Sequence, residues 1–181
     1  MEIISLFKSE ISPGSQPELG PGSRKGVLSQ PVIEKKVSQF LEINSIKTRK
    51  PGLVKALAFL WNDHLEAAHE LSQEDPSADG SFIHAIMHRR EPDYWNSKYW
   101  WRRVGPHPAF QSIAKKTNVI FQEYAATPDL QSLVSDGQWQ PDHFVDLCEK
   151  ISDDPSHPFL QPLMTLQELE TDALLEHLFG L

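Results

Sequence analysis

From Pro31 to the C-terminus, apolar residues recur at intervals of three and four, and no stretch alternates apolar with polar as a half-buried strand does. That periodicity restricts the chain to packed helices. Val32, Ile33, Val37, Phe40 and Leu41 mark a first helix, with Pro31 suited to its first turn. A second is expected from Pro51 to about Leu71, with Leu53, Leu57, Leu60, His64, Ala68 and Leu71 as its stripe. A third, capped by Asp79 or Ser81, ends near Glu91, because Pro92 disfavours a helical residue before it. Asp93 caps a fourth, Tyr94 to about Val104, closed by Gly105 and Pro106. Three more are expected over Phe110–Tyr124, Asp142–Ile151 and Leu163–Leu178, with Thr127–Gln140 irregular.

The fold class that follows is all-α: a single compact, irregular domain of about six to seven helices spanning residues 31–181. Residues 1–30 are expected to be an extended Pro/Gly-rich N-terminal arm. Residues 9–30 of it carry too few apolar groups to offset their own ordering entropy. Such an arm should be removable without loss of the helical fold.

Charge and composition narrow the function classes. The chain has 181 residues and a formal net charge of -8. A general nucleic-acid binder needs a basic surface to displace counterions, so that class is disfavoured. No run approaches the ~20 apolar residues that span a bilayer, so no membrane partner is expected. The start, MEIISLFKSE, lacks the charge pattern of a signal peptide, and the one cysteine, Cys148, cannot form an intramolecular disulfide. Both features point to the cytoplasm. Cys148 lies in a helical pattern and reads as a small core residue.

Chemistry-bearing residues concentrate in Trp61–Pro108, WNDHLEAAHELSQEDPSADGSFIHAIMHRREPDYWNSKYWWRRVGPHP. This block holds five of eight His, four of five Trp and four of six Arg. On the second helix, His64 falls in the middle of the core-facing stripe, while His69 lies about 140° away, on the flank or the surface. On the third, His84, His88 and Glu91 share a sector of about 60°. Two His four residues apart can place two imidazole nitrogens on one divalent ion, and a carboxylate one turn on can act as a further ligand or as a general base. His64, His84 and His88 are therefore candidate metal ligands for zinc or iron, with Glu91 as candidate catalytic base. Separate hydrogen bonds to backbone and side chains would satisfy the same histidines.

Arg89, Arg90, Trp95, Tyr99, Arg102 and Arg103 form a candidate ligand wall. Aromatics interleaved with Arg can stack a planar group and clamp a carboxylate or phosphate. Equally, the Trp residues can be core anchors covered by Arg. The block, with the run ADGSFIHAIMHRREPDYWNSKYWWRRVGPHPAF at its centre, resembles the central block of a family of small uncharacterised bacterial and fungal proteins over roughly residues 51–110. That resemblance implies no activity. The three His are also similar to those of metal-binding DinB-like bundles. There, the HxxxH pair comes near the end of the last core helix, well after the first His, whereas here it follows His64 by twenty residues.

Three functions fit these residues. The first is binding of a small anionic or aromatic molecule at a His/Arg/Trp-lined pocket. The second is a small metal-dependent enzyme, of hydrolase or non-haem iron type. The third is a helical protein-interaction module.

Overall fold

The computed structural model describes residues 3–12, 14–124 and 127–181. Ten helices and one two-stranded hairpin lie among the described residues. The helices are α1 (Ile3–Ile11), α2 (Gln30–Ile43), α3 (Pro51–Trp61), α4 (Leu65–Gln73), α5 (Ala78–Arg90), α6 (Tyr94–Val104), α7 (Ala109–Glu123), α8 (Pro128–Gln131), α9 (Pro141–Ile151) and α10 (Leu160–Phe179). The hairpin pairs β1 (Val134–Ser135) with β2 (Gln138–Trp139), antiparallel, with Val134 opposite Trp139. No helix among the described residues is long and apolar enough to cross a membrane.

The all-α expectation holds, with more helices than six or seven. Each additional element has a local cause. α1 falls within the segment expected to be an extended arm. Its Ile4, Phe7 and Ile11 are buried, and Phe7 packs edge-on against Phe40 of α2 and Phe179 of α10 at 5.0 and 5.6 Å between ring centroids. Spacings of three and four inside IISLFKSEI are the same helical signal found after Pro31. The Pro and Gly residues that follow it mask that signal when the arm is taken as one unit. Lys8 adds a polar tie, donating to Asp172 at 2.9 Å and to Glu168 on α10. Burial pushes the Asp172 carboxyl up to about 6 against the pull of Lys8. The small α8 and the hairpin occupy the stretch expected to be irregular.

The expected helix Pro51–Leu71 is two helices. The chain breaks at Asn62–His64, where Asp63 takes φ 62°, a left-handed value that a side-chain-bearing residue seldom adopts. Asn62 is fully buried at the break. Its amide donates to the carbonyls of Ile11 and Ala58 at 2.9 and 3.0 Å, and its Oδ1 accepts from Leu28 N–H at 3.0 Å. Asp63 accepts from the Arg24 backbone N–H at 2.8 Å and from the Arg90 guanidinium at 2.7 Å. Residues of the N-terminal segment thus bond to the break itself. The helical pattern continues across it because apolar spacing records which side faces the core, and α4 returns to the same core.

α5 is the central element. It lies against α3, α4 and α6, and every residue from Asp79 to Arg90 is buried. Ser77 caps it, accepting from Gly80 N–H at 3.4 Å, so Asp79 is released from the capping role that the sequence suggested. Around it, α10 packs on α1, α3, α7 and α9, and α6 packs on α9. Cys148 of α9 is buried, and that burial pushes its thiol up to about 12, as suits an inert core residue.

Two outcomes test this packing. A Cβ on Gly80 would stand 2.1 Å from the Asp75 carbonyl oxygen, so α5 approaches the preceding loop as only glycine allows. Gly80→Ala should lower stability by about 1–3 kcal/mol, despite alanine's better helix propensity, in chemical denaturation. Asp63→Ala should cost about 3–5 kcal/mol, since it leaves the buried Arg24 and Arg90 charges without their shared carboxylate. A loss under 1 kcal/mol would show that the break does not depend on that ion pair.

Candidate functional site

Because α5 is enclosed, its polar side chains leave it in different directions. Relative to His84, His88 lies about 40° round the helix, Arg89 about 140° and Arg90 about 240°. The structure gives each direction its own partners. Arg89 donates to Glu170 of α10 at 2.6 Å, both side chains fully buried, and its guanidinium lies 4.2 Å from the Phe144 ring centroid. Trp139 Nε1–H donates to the second Glu170 oxygen at 3.0 Å. Arg90 donates to the Leu60 carbonyl at 2.5 Å, the Gly20 carbonyl at 3.1 Å and Asp63 at 2.7 Å. Burial would raise the Asp63 carboxyl, but hydrogen bonds from Arg24 and Arg90 outweigh it and hold Asp63 below the usual carboxylate range. Both arginines expected on the ligand wall therefore point into the protein, about 100° apart round α5 and each to its own carboxylate.

His64 sits at the break between α3 and α4. Its Nε2 donates to the Leu28 carbonyl at 2.7 Å, and its ring meets Phe59 edge-on at 6.1 Å. The imidazole that joins His84 and His88 is His69 of α4. His69 lies 4.9 Å from His84 and 5.7 Å from His88 between ring centroids, and His84 lies 6.0 Å from His88. A single helix through α3 and α4 would put His69 on the flank or the surface. The break at Asn62–His64 reorients α4 and carries His69 to α5. The left-handed Asp63 has no local sequence signal comparable to Gly or Pro.

His84 is 1% exposed. Its Nδ1 faces the Gly80 carbonyl at 3.3 Å, and a carbonyl can only accept, so Nδ1 carries the proton and the lone pair resides on Nε2. That Nε2 is buried with no hydrogen-bond partner among the described residues. Trp100 of α6 stacks on the ring at 4.0 Å and 15°. Burial, reinforced by His69, His88 and Arg103, lowers the His84 pKa to about 4 against a smaller upward pull from the Gly80 carbonyl. His88 is lowered too, first by burial, with Glu91 and Asp93 pulling it back up. Glu91 reaches His88 Nδ1 at 3.2 Å, and the Asn96 amide lies 3.2 Å from His88 Nε2. Glu91, expected as a base, is thus placed to orient an imidazole.

Outward from His84 the aromatic residues form a graded series. Tyr99 meets Trp100 edge-on at 5.5 Å, and Trp95 lies parallel to Tyr99 at 6.3 Å and 14°. Trp95 is 74% exposed and Tyr99 40%. The Arg103 guanidinium lies 5.2 Å from the Trp100 ring and 5.9 Å from the Tyr99 ring. Arg102 and Arg103 are exposed and form no ion pair among the described residues. Trp101 instead turns inward against Phe82 at 4.6 Å.

A second polar cluster lies at the other end of α5. Asp79, His107 and His177 bring three potential ligand atoms within 4.8 Å of one another, compact enough for a metal ion. Their hydrogen bonds favour a different use. His107 Nδ1 accepts from Ala109 N–H at 3.1 Å, so its Nε2 carries the proton and donates to Asp79 at 2.8 Å. That nitrogen has no lone pair for an ion. Lys50 already holds the other Asp79 oxygen at 2.7 Å, and His177 Nε2 lies 3.3 Å from the first. Burial would raise the Asp79 carboxyl, but these donors hold it far below its usual range. The cluster pins the start of α5 to α7 and α10. His107 and His177 are 70 positions apart, so no local spacing could announce it.

No family model, curated protein or solved structure matches the chain.

The His84 environment predicts a pH signature. Between about pH 4 and pH 6.5, the unfolded chain binds a proton at this position that the folded chain does not, so the His84 contribution to stability rises with pH across that window. Asp172, raised from 3.8 to about 6, works in the opposite direction over nearly the same range. The measurement is therefore a comparison: His84→Gln should flatten the rise in melting temperature between pH 4 and 6.5 relative to the parent protein. Parallel profiles would mean that His84 is not buried in its neutral form.

Proposed function

We propose that this chain binds a small planar anion, of the aromatic carboxylate or aryl phosphate class, on the face formed by Trp95, Tyr99, Arg102 and Arg103. The observation that carries the reading is the parallel Trp95–Tyr99 pair left open to solvent on α6, with the Arg103 guanidinium over the adjoining rings. Exposed Trp of this kind loses little on stacking a ligand ring and gains its burial. Arg102 and Arg103 sit in the last turn of the same helix without a carboxylate partner among the described residues, so two cations remain for the charged end of a ligand. Arg89 and Arg90 contribute by fixing α5 beneath the face, not by touching the ligand.

The acidic character of the chain fits a local cationic face selective for one small anion over a polyanion. The interaction-module reading shares the exposed Trp95, but the two unpaired arginines beside it favour an anionic partner. The metal-dependent reading draws on a separate observation, the free nitrogen of His84.

Intrinsic tryptophan fluorescence, titrated with a panel of aromatic carboxylates and aryl phosphates, tests the proposal. Binding should weaken ~10-fold or more, about 1.4 kcal/mol, in Tyr99→Ala and again in Arg102→Gln/Arg103→Gln. For Trp95→Ala, which removes a reporter, thermal shift replaces fluorescence. Unaltered affinity in all three variants would defeat the assignment.

A further inference from the structure

The buried lone pair on His84 Nε2 is unexplained by the ligand face. An imidazole nitrogen enclosed without a hydrogen bond carries a desolvation cost of about 1–3 kcal/mol that any partner would relieve. Its surroundings identify the partner. Trp100 covers one face of the ring, and two further imidazoles, those of His69 and His88, lie 4.9 and 6.0 Å from it between ring centroids. Three clustered imidazoles that fail to bond to one another call for an electrophile that accepts a lone pair from each.

We propose that His69, His84 and His88 form the binding site of one divalent transition-metal ion, of which zinc and iron(II) best suit an all-imidazole set. Metal–nitrogen bonds are about 2.0–2.1 Å long, which puts ring centroids roughly 5 Å apart around a tetrahedral ion. The three centroid separations are 4.9, 5.7 and 6.0 Å. The nitrogens stand wider apart than those of the Asp79 cluster, the one set within 4.8 Å among the described residues, so binding draws the rings inward by side-chain rotation. His84 and His88 stand four apart on α5, one turn, the spacing at which a helix presents two ligands to one ion. His69 supplies the third from α4.

Two of the three rings are already oriented. The Gly80 carbonyl on His84 Nδ1 and the Glu91 carboxylate on His88 Nδ1 fix the protons on those nitrogens and leave both Nε2 lone pairs for the ion. Backbone carbonyls and carboxylates hold metal-binding histidines in this way. Glu91 is thereby a positioning residue. On binding, the ion replaces the Asn96 amide at His88 Nε2. Three protein ligands leave a tetrahedral ion one open position, the arrangement of catalytic rather than structural sites. The site adjoins the ligand face without depending on it.

The test uses the full chain, expressed without an affinity tag, stripped with chelator and titrated with Co²⁺ by visible absorption and with Zn²⁺ by calorimetry. The expected result is one ion per chain, with the intense visible bands of four-coordinate Co²⁺. His84 is a core residue whose replacement can disturb folding, so the half-buried His69 carries the decision. His69→Gln should weaken Zn²⁺ at least ~10-fold with the helical circular dichroism unchanged, and His88→Gln likewise. His177→Gln should leave uptake intact. Absence of stoichiometric uptake would overturn the proposal. So would uptake that His177→Gln abolishes and His69→Gln does not, since the ion would then belong to the Asp79 cluster. A chain that binds aromatic carboxylates but no metal loses this site alone. Metal uptake without carboxylate binding removes the ligand face and leaves this site standing.

Discussion

Enclosing a helix on every side costs little when the helix is apolar, because its backbone groups satisfy one another and its side chains only gain by leaving water. α5 meets this condition on its Phe82, Ile83, Ala85, Ile86 and Met87 positions and violates it at Asp79, His84, His88, Arg89 and Arg90, all of them buried. Each of these polar groups demands a partner at a fixed distance and direction, and the partners come from most of the surrounding elements. Glu170 fixes α10, Asp63 and the Leu60 carbonyl fix the α3–α4 break, Asn96 fixes α6, and Lys50, His107 and His177 fix α3, α7 and α10. The placement of α3, α6, α7 and α10 follows in large part from satisfying one polar helix.

Stability alone does not explain this choice. A buried ion pair such as Arg89–Glu170 is often replaceable by apolar side chains without loss, because desolvating two charges offsets most of their attraction. What the pairs supply is register. An apolar contact tolerates sliding by a fraction of a turn, whereas Arg90 reaches Leu60, Gly20 and Asp63 together in one setting of α5. That setting presents His84 and His88 to His69 and Trp100. Among the described residues, His84 Nε2 and the Arg89 Nε and Nη1 are the buried α5 side-chain nitrogens without a hydrogen-bond partner; the arginine offsets its two with the Glu170 ion pair, and the imidazole has no such compensation.

The helical class, most helix positions and the block that contains the candidate sites were legible from spacing and composition. Boundaries set by capping chemistry were close: α6 starts after Asp93 and ends before Gly105, and α7 spans Ala109–Glu123 against an expected Phe110–Tyr124. His84, His88 and Glu91 could be placed on one face because the geometry of a single helix is known in advance. The rest of the site was not legible. Arg89 and Arg90 belong to the same Arg/Trp-rich run as Arg102 and Arg103, yet the first two are buried ion-pair members and the last two are exposed. Nothing in RREPDYWNSKYWWRR distinguishes them without knowing that α5 is enclosed.

By itself the sequence determined what depends on neighbours within a turn or two: helical periodicity, caps, stops, and which residues of one helix share a side. The tertiary structure decided everything that depends on how helices meet. The left-handed Asp63 turned α4 and exchanged His64 for His69 beside α5, and it was held there by Arg24 and Arg90 from 39 and 27 positions away. The physical reason is the range of the forces involved. Periodicity is written by backbone hydrogen bonds four residues long, while a buried charge is satisfied by whichever partner the fold brings within 3 Å, at any distance along the chain.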